Sequence, residues 1–269
     1  MTTRTLQMRE GTYERKIREQ ALAKKRGVHR PWINTRDIPG AGIKTRLTCM
    51  KVALREIHLL SAGEHAVFLE AWRRDDVLTI EDQVPLDVNK TTRAALDLGV
   101  DHPYYKRFPK PSVLTTDLVL RTSKNGLARR EPISVKSVRR QGAVEPTRKQ
   151  RIEQEAWRQE GSLLTFAYVH GMHANRSKNL AWLFRAENEV TSRDLTDDEE
   201  LAQRELYSRI VRRLDRLAID AIRAVQAEFG LPSGVTAQAF RQLLACRRIS
   251  VDFDVADMRL AEVIDIDIY

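Results

Sequence analysis

Asn125-Gly126 lies between two β-branched runs, TTDLVLRT (115–122) and PISVKSV (132–138). An Asn-Gly pair so flanked is the strongest short-range signal for a two-residue β-hairpin, because such a turn needs positive φ at both central positions. The turn would also set a register: Lys124 stands opposite Leu127, and facing residues sum to 251. Asp117 then faces Ser134, and Lys136 lies two positions further along the same face. A bulge at Arg129-Arg130 would shift that pairing.

The flanking segments read as helix, strand, hairpin, helix, strand. LLSAGEHAVFLEAW (59–72) has helical apolar spacing after Ser61, and VLTIEDQVPL (77–86) is a β-rich run ended by a proline. Residues 87–112 read as loop, 146–160 as helix and SLLTFAYV (162–169) as a buried strand. That order suits an α/β domain, a mixed sheet with helices on its faces. Residues 1–30 are polar and basic, an N-terminal arm or peripheral helix, and 30–49 read as loop with short extended pieces. The character changes near 170. A long helix is expected from about Glu200 to Phe229, with Leu206, Ile210, Leu214, Leu217, Ala221 and Val225 on one face and Gly230 and Pro232 at its end. Another helix starts at Thr236, and ISVDFDV and EVIDIDIY follow as alternating strands, the order of a winged-helix-like α+β domain. The expected domains are a basic arm (1–30), a core domain (31–170) and a C-terminal domain (171–269).

The chain has 269 residues, 46 Lys+Arg against 37 Asp+Glu, and a net charge of +9. At 42% hydrophobic and 31% charged it is too apolar to be a disordered tail. No run reaches the roughly 18–20 apolar residues of a membrane span, and the N-terminus carries no apolar signal-peptide core. Cys49 and Cys246 are too far apart for a disulfide framework or a cysteine zinc site, which fits a reducing cytoplasm. Positive charge is concentrated at 1–30 (local balance +6) and 121–151 (+8), whereas 250–269 carries −5. Such clustering is the electrostatic footprint of a nucleic-acid partner.

Three residues could carry chemistry together. Glu64 stands three residues after Ser61, the spacing of a helix capping box. Asp117 is an acid inside a strand, where Asp is disfavoured. Lys136 is a charge between apolar residues of the partner strand, a position that an ordinary outward-facing lysine could also occupy. On one face, two carboxylates beside an ammonium suit Mg²⁺, which binds through one or two carboxylates plus water and phosphate oxygens. That is the pattern of a metal-dependent phosphodiesterase. His170 and His173 read as a loop pair. Arg209, Arg212, Arg213 and Arg216 form a basic helical stripe, and the acids from Asp252 to Asp267 read as the outer face of a strand pair.

An acid, then Asp, then x-x-Lys on a hairpin, placed on this element order, resembles the restriction-endonuclease-like PD-(D/E)xK superfamily. More narrowly, HLLSAGEHAVFLEAW, VLTIEDQVPL, GVDHPYY, LTTDLVL and SVK, in that order, resemble the TnsA-type transposon endonucleases. The resemblance implies that Glu64 and Asp117 bind Mg²⁺ (with Mn²⁺ as a substitute) and that Lys136 acts at the attacking water. The family's polar or acidic position two before the lysine is Ser134 here, a departure that leaves Ser134 to act through water or the carbonyl of Val135 to serve as ligand. The resemblance further implies a bacterial, cytoplasmic, nucleoid-associated subunit cutting the 5′ strand of double-stranded DNA at transposon ends. Its implied partners are a TnsB-like DDE transposase and a TnsC-like AAA+ regulator, with no membrane. Lys24, Lys25, Arg26, Arg129, Arg130, Arg139 and Arg140 are candidate phosphate contacts. The alternatives are a stand-alone nuclease of resolvase or restriction type, and a non-catalytic winged-helix DNA-binding or scaffold protein.

Overall fold

The computed structural model describes residues 8–38, 42–49, 55–136, 145–169 and 174–269. The chain divides into two compact units, Met1–Gly171 and Met172–Tyr269.

The hairpin organises the first unit. β4 (Thr115–Lys124) and β5 (Leu127–Lys136) pair antiparallel with Lys124 opposite Leu127 and Leu118 opposite Ile133, without a bulge at Arg129-Arg130. Asn125 and Gly126 take φ of 54° and 77°, as the turn demands. β3 (Val77–Pro85) adds antiparallel to β4, and β6 (Thr165–Tyr168) adds parallel to β5. The result is a mixed four-stranded sheet in the order β3-β4-β5-β6, flanked by helices, the expected restriction-endonuclease-like α/β architecture. A separate antiparallel pair, β1 (Thr45–Thr48) and β2 (Glu56–Leu59), precedes α2 (Ala62–Arg73).

α2 packs on β3, β4 and β5. Its apolar spacing buries Val67, Phe68, Ala71 and Trp72, while Ile80, Leu118 and Leu120 are fully buried on the strands. Each large side chain so buried stabilises the fold by about 2–3 kcal/mol. The second core gathers Val84, Val119, Ala94 of α3 (Val88–Asp97), and Ile152, Ala156 and Trp157 of α4 (Arg148–Gln159). α3 stands where loop was expected. Asp87 caps it through Asn89 N and Lys90 N, and its Thr and Lys content hides a short stripe of Thr91, Ala94 and Ala95. β6 is half-exposed rather than buried, because it is the last strand of the sheet. α1 (Glu10–Lys25) is fastened by Lys16, whose ammonium donates to Trp32 O (2.6 Å) and Asp37 Oδ2 (2.7 Å).

The sheet turns over beside Asp117. Thr116 and Val119 would point to opposite faces of a regular strand, yet both meet the α4 side. Thr116 bonds Glu153 and Trp157, and Val119 lies in the core with Ile152 and Ala156. On β3 the switch falls at Gln83, whose φ is +44°. A non-glycine residue held there costs about 1–3 kcal/mol, and neighbouring bonds fix it. Trp32 N donates to Gln83 O (2.9 Å). Buried Asp82 accepts from Arg55 Nη1 (2.6 Å) and His58 N (2.7 Å).

The second unit holds α5 (Ala174–Ser192), α6 (Asp197–Val211), α7 (Ala218–Glu228) and α8 (Val235–Ala245). The single helix expected from Glu200 to Phe229 is two. It breaks where Arg213 takes φ of +51° and Leu214 is exposed, so the shared phase of the apolar residues spans two helices that pack on each other. The basic stripe is therefore divided, and Arg209 pairs with Asp215 and Glu228. The expected strand pair shrinks to a two-residue ladder, β7 (Ile249–Ser250) with β8 (Asp267–Ile268). Its acids make turns instead: Asp252 accepts from Asp254 N, and Asp257 from Arg259 N. Val251, Phe253, Met258, Val263 and Ile266 are still buried one by one, which explains the alternation without long strands.

Candidate active site

Helix α2 delivers Glu64. Ser61 Oγ caps the helix by accepting from Glu64 N (3.1 Å). The Glu64 carboxylate turns back to accept from Leu60 N (2.8 Å), Ser61 Oγ (3.0 Å) and Gln83 Nε2 (3.1 Å). The capping role and the site role thus fall on the same side chain.

The hairpin delivers the other groups. Asp117 Oδ2 accepts from Val135 N (2.6 Å) and lies 3.5 Å from Ser134 Oγ and 3.8 Å from Lys136 Nζ. Lys136 Nζ also donates to Ser134 Oγ (2.5 Å). Glu64, Asp117, Ser134, Val135 and Lys136 are therefore brought to one place. Two further residues join them that the sequence reading passed over. Glu153, buried on α4, accepts from Thr116 Oγ1 (2.8 Å) and Ser134 Oγ (3.4 Å). Gln83 links Glu64 to the β3–β4 switch. An acid on the inner face of an amphipathic helix was the available signal for Glu153, whereas Gln83 gave none.

The carboxylates of this cluster sit in a setting that disfavours their charged forms. Burial, then the charge of Asp117, pushes the pKa of Glu64 up to about 7. The same two causes push Glu153 up to about 8. Asp117 keeps 21% of its side chain open, but burial still raises its pKa, against the opposing pull of Lys136, the Val135 amide and the Gln83 side chain. A hard divalent cation takes one or two carboxylates of this kind and fills its shell with water. Among the described residues, no group of three or more His, Cys, Asp or Glu is placed to hold a metal ion together.

A cleft of 530 Å³ opens on Asp117, Ser134, Lys136 and Glu153. Trp32 and Tyr105 wall one part of it, and Arg148, Lys149 and Gln150 on the first turn of α4 wall another. Glu64 is 7% exposed and does not line this cleft. Burial lowers the pKa of Lys149, with Arg148 adding to the effect. Lys24, Arg129 and Arg130 line a second groove of 740 Å³ with Arg121 and Lys90. Arg130 stacks its guanidinium 4.7 Å from the Trp157 ring and pairs with Glu160. Lys25 and Arg26 close the C-terminal end of α1. Arg139, Arg140, His170 and His173 lie outside the described residues.

A mixed four-stranded sheet flanked by helices is the architecture of the restriction-endonuclease-like fold. Comparison with known proteins narrows the class. Residues 173–253 match the family described as TnsA endonuclease C terminal. The chain is also 27% identical over 216 residues to the transposon Tn7 transposition protein TnsA of Escherichia coli, covering 80% of this chain and 76% of that protein. An alignment of that length is longer than either unit and takes in residues of both. The chain is TnsA-like.

Proposed function

We infer that this protein is the endonuclease subunit of a Tn7-type heteromeric transposase, cutting the 5′ strand of duplex DNA at transposon ends. The observation that carries the reading is the meeting of Glu64, Asp117 and Lys136 from separate elements, in a chain that is TnsA-like. Glu64 and Asp117 would hold Mg²⁺, or Mn²⁺ in its place. The Val135 carbonyl is a third donor, because a strand residue's C=O points to the same side as its N–H, and that N–H faces Asp117. Bound there, the cation supplies a water of lowered pKa and offsets charge on the phosphoryl oxygens.

This chain's own groups do the rest. Lys136, anchored on Ser134 and Asp117, sets an ammonium beside the attacking water and the scissile phosphate. Arg148 and Lys149 offer cations to phosphate at the mouth of the cleft. Ser134 stands at the family's polar position and ties Asp117, Lys136 and Glu153 together. Among the described residues no base-reading element stands out, and in this reading site choice belongs to a TnsB-like DDE transposase that cuts the 3′ strand, with a TnsC-like AAA+ regulator completing the assembly. The test separates binding from chemistry. Asp117→Asn protein is expected to shift labelled transposon-end DNA as the wild type does and to leave it uncut; equal cutting would overturn the reading.

A further inference from the structure

Among the described residues, four non-glycine residues have positive φ. Asn125 sits in the hairpin turn, and Arg213 and Arg247 lie just past helix ends. Gln83 is different: it stands inside strand β3, where no turn requires that conformation. Strain of this kind persists only where surroundings over-determine it, and it clusters at functional sites. Gln83 is 2% exposed, and its side chain is fully engaged. Nε2 donates to Glu64 Oε2 (3.1 Å), Oε1 accepts from Thr115 Oγ1 (3.5 Å), and the amide also interacts with Asp117. Without the φ reversal, regular alternation of β3 would aim this side chain elsewhere.

We propose that Gln83 is a positioning residue for the divalent-cation site, its amide fixing the spacing and orientation of the Glu64 and Asp117 carboxylates. The proposal rests on the nuclease reading above. A primary amide suits the task because it donates to carboxylates while carrying no charge of its own. Its donor and Leu60 N both engage Glu64 Oε2, which leaves Oε1, with its single bond from Ser61, as the oxygen open to the cation. Ligating carboxylates held by outer hydrogen bonds behave in this way in metal centres generally.

The test is Mn²⁺ binding by titration calorimetry, with melting temperature of the metal-free protein as control. Gln83→Gly is the variant of choice, since glycine adopts positive φ freely and the backbone stays unstrained. The expected result is a variant that still melts cooperatively without metal, with Mn²⁺ affinity weaker by about tenfold, the low end for loss of an outer-shell partner. Cleavage should recover as Mn²⁺ is raised, which a purely structural lesion would not show. If the glycine variant melts below the wild type, Gln83→Met, which keeps the bulk without the amide, is expected to give the same loss of affinity. Wild-type affinity in either folded variant would overturn the proposal. If the wild type itself shows no Mn²⁺ binding that depends on Asp117, the metal reading fails, and the proposal fails with it.

Discussion

The main-chain amide of Val135 donates to the carboxylate of Asp117 across 2.6 Å. The bond stands where the β4–β5 ladder stops at Leu118 and Ile133, so a side chain continues the pairing that the backbone gives up. It holds Asp117 at the rim of the sheet, beside Lys136 and within the field of Glu64.

Removing charge at this point should abolish chemistry without unfolding the protein. In Asp117→Asn the amide oxygen still accepts from Val135 N. Cleavage is expected to fall by about 10²–10³-fold or more, as when a group stabilising transition-state charge is lost. Lys136→Ala should act alike. Melting curves and mobility shifts recorded beside the cleavage rates check that fold and DNA binding persist.

The raised carboxylate pKa values predict how stability changes with pH. Glu64, near 7, and Glu153, near 8, both stand above their ordinary value of 4.5, so the folded state binds their protons more tightly than the unfolded state does. Their stabilisation is complete below about 4.5 and is lost as pH rises through 7 and 8. The metal-free protein should therefore melt lower at pH 8.5 than at pH 6. Mg²⁺ should restore more at the higher pH, and Glu153→Gln should flatten the dependence.

Gly63 gives a packing test one residue from Glu64. A Cβ at Gly63 would overlap the Val169 side chain and come within 3.3 Å of Val135 Cγ1. Gly63→Ala should cost about 1–3 kcal/mol, the usual range for overpacking. It should also reduce cleavage, because the first turn of α2 and Val169 must move apart. Thermal melts and single-turnover rates measure the two effects.

Much of the site was legible because hairpin chemistry is local: Asn125-Gly126 fixed the register that sets Asp117 across from Ser134 and beside Lys136. The face switch at Gln83 was not legible. Nothing in VLTIEDQVPL signals a left-handed residue, since its conformation is imposed by Trp32, Arg55 and His58 from distant segments. In the second unit, one periodic pattern concealed two helices, and Asp252 and Asp257 favoured turns over strands.

In the C-terminal unit one carboxylate makes stability depend on pH in the opposite direction. The Arg193 guanidinium, bonding Glu199 at 2.6 and 2.7 Å, lowers the carboxyl pKa to about 2, with burial opposing and Thr196 N and Gln242 assisting. A depressed pKa stabilises the fold above about 4.5, and that contribution is lost as pH falls toward 2. Glu199→Gln should melt below the wild type at pH 7, and the difference should shrink steadily as pH falls from about 4.5 toward 2.

The most direct test of the central claim is strand-specific cutting of a labelled transposon end, with Mg²⁺ and the partner transposase present. Wild-type protein should cut the 5′ strand. Asp117→Asn and Lys136→Ala should lose that cut while the 3′ cut by the partner remains. Unchanged 5′ cutting in both variants would contradict the account, and the cluster of Glu64, Asp117 and Lys136 would then be structural.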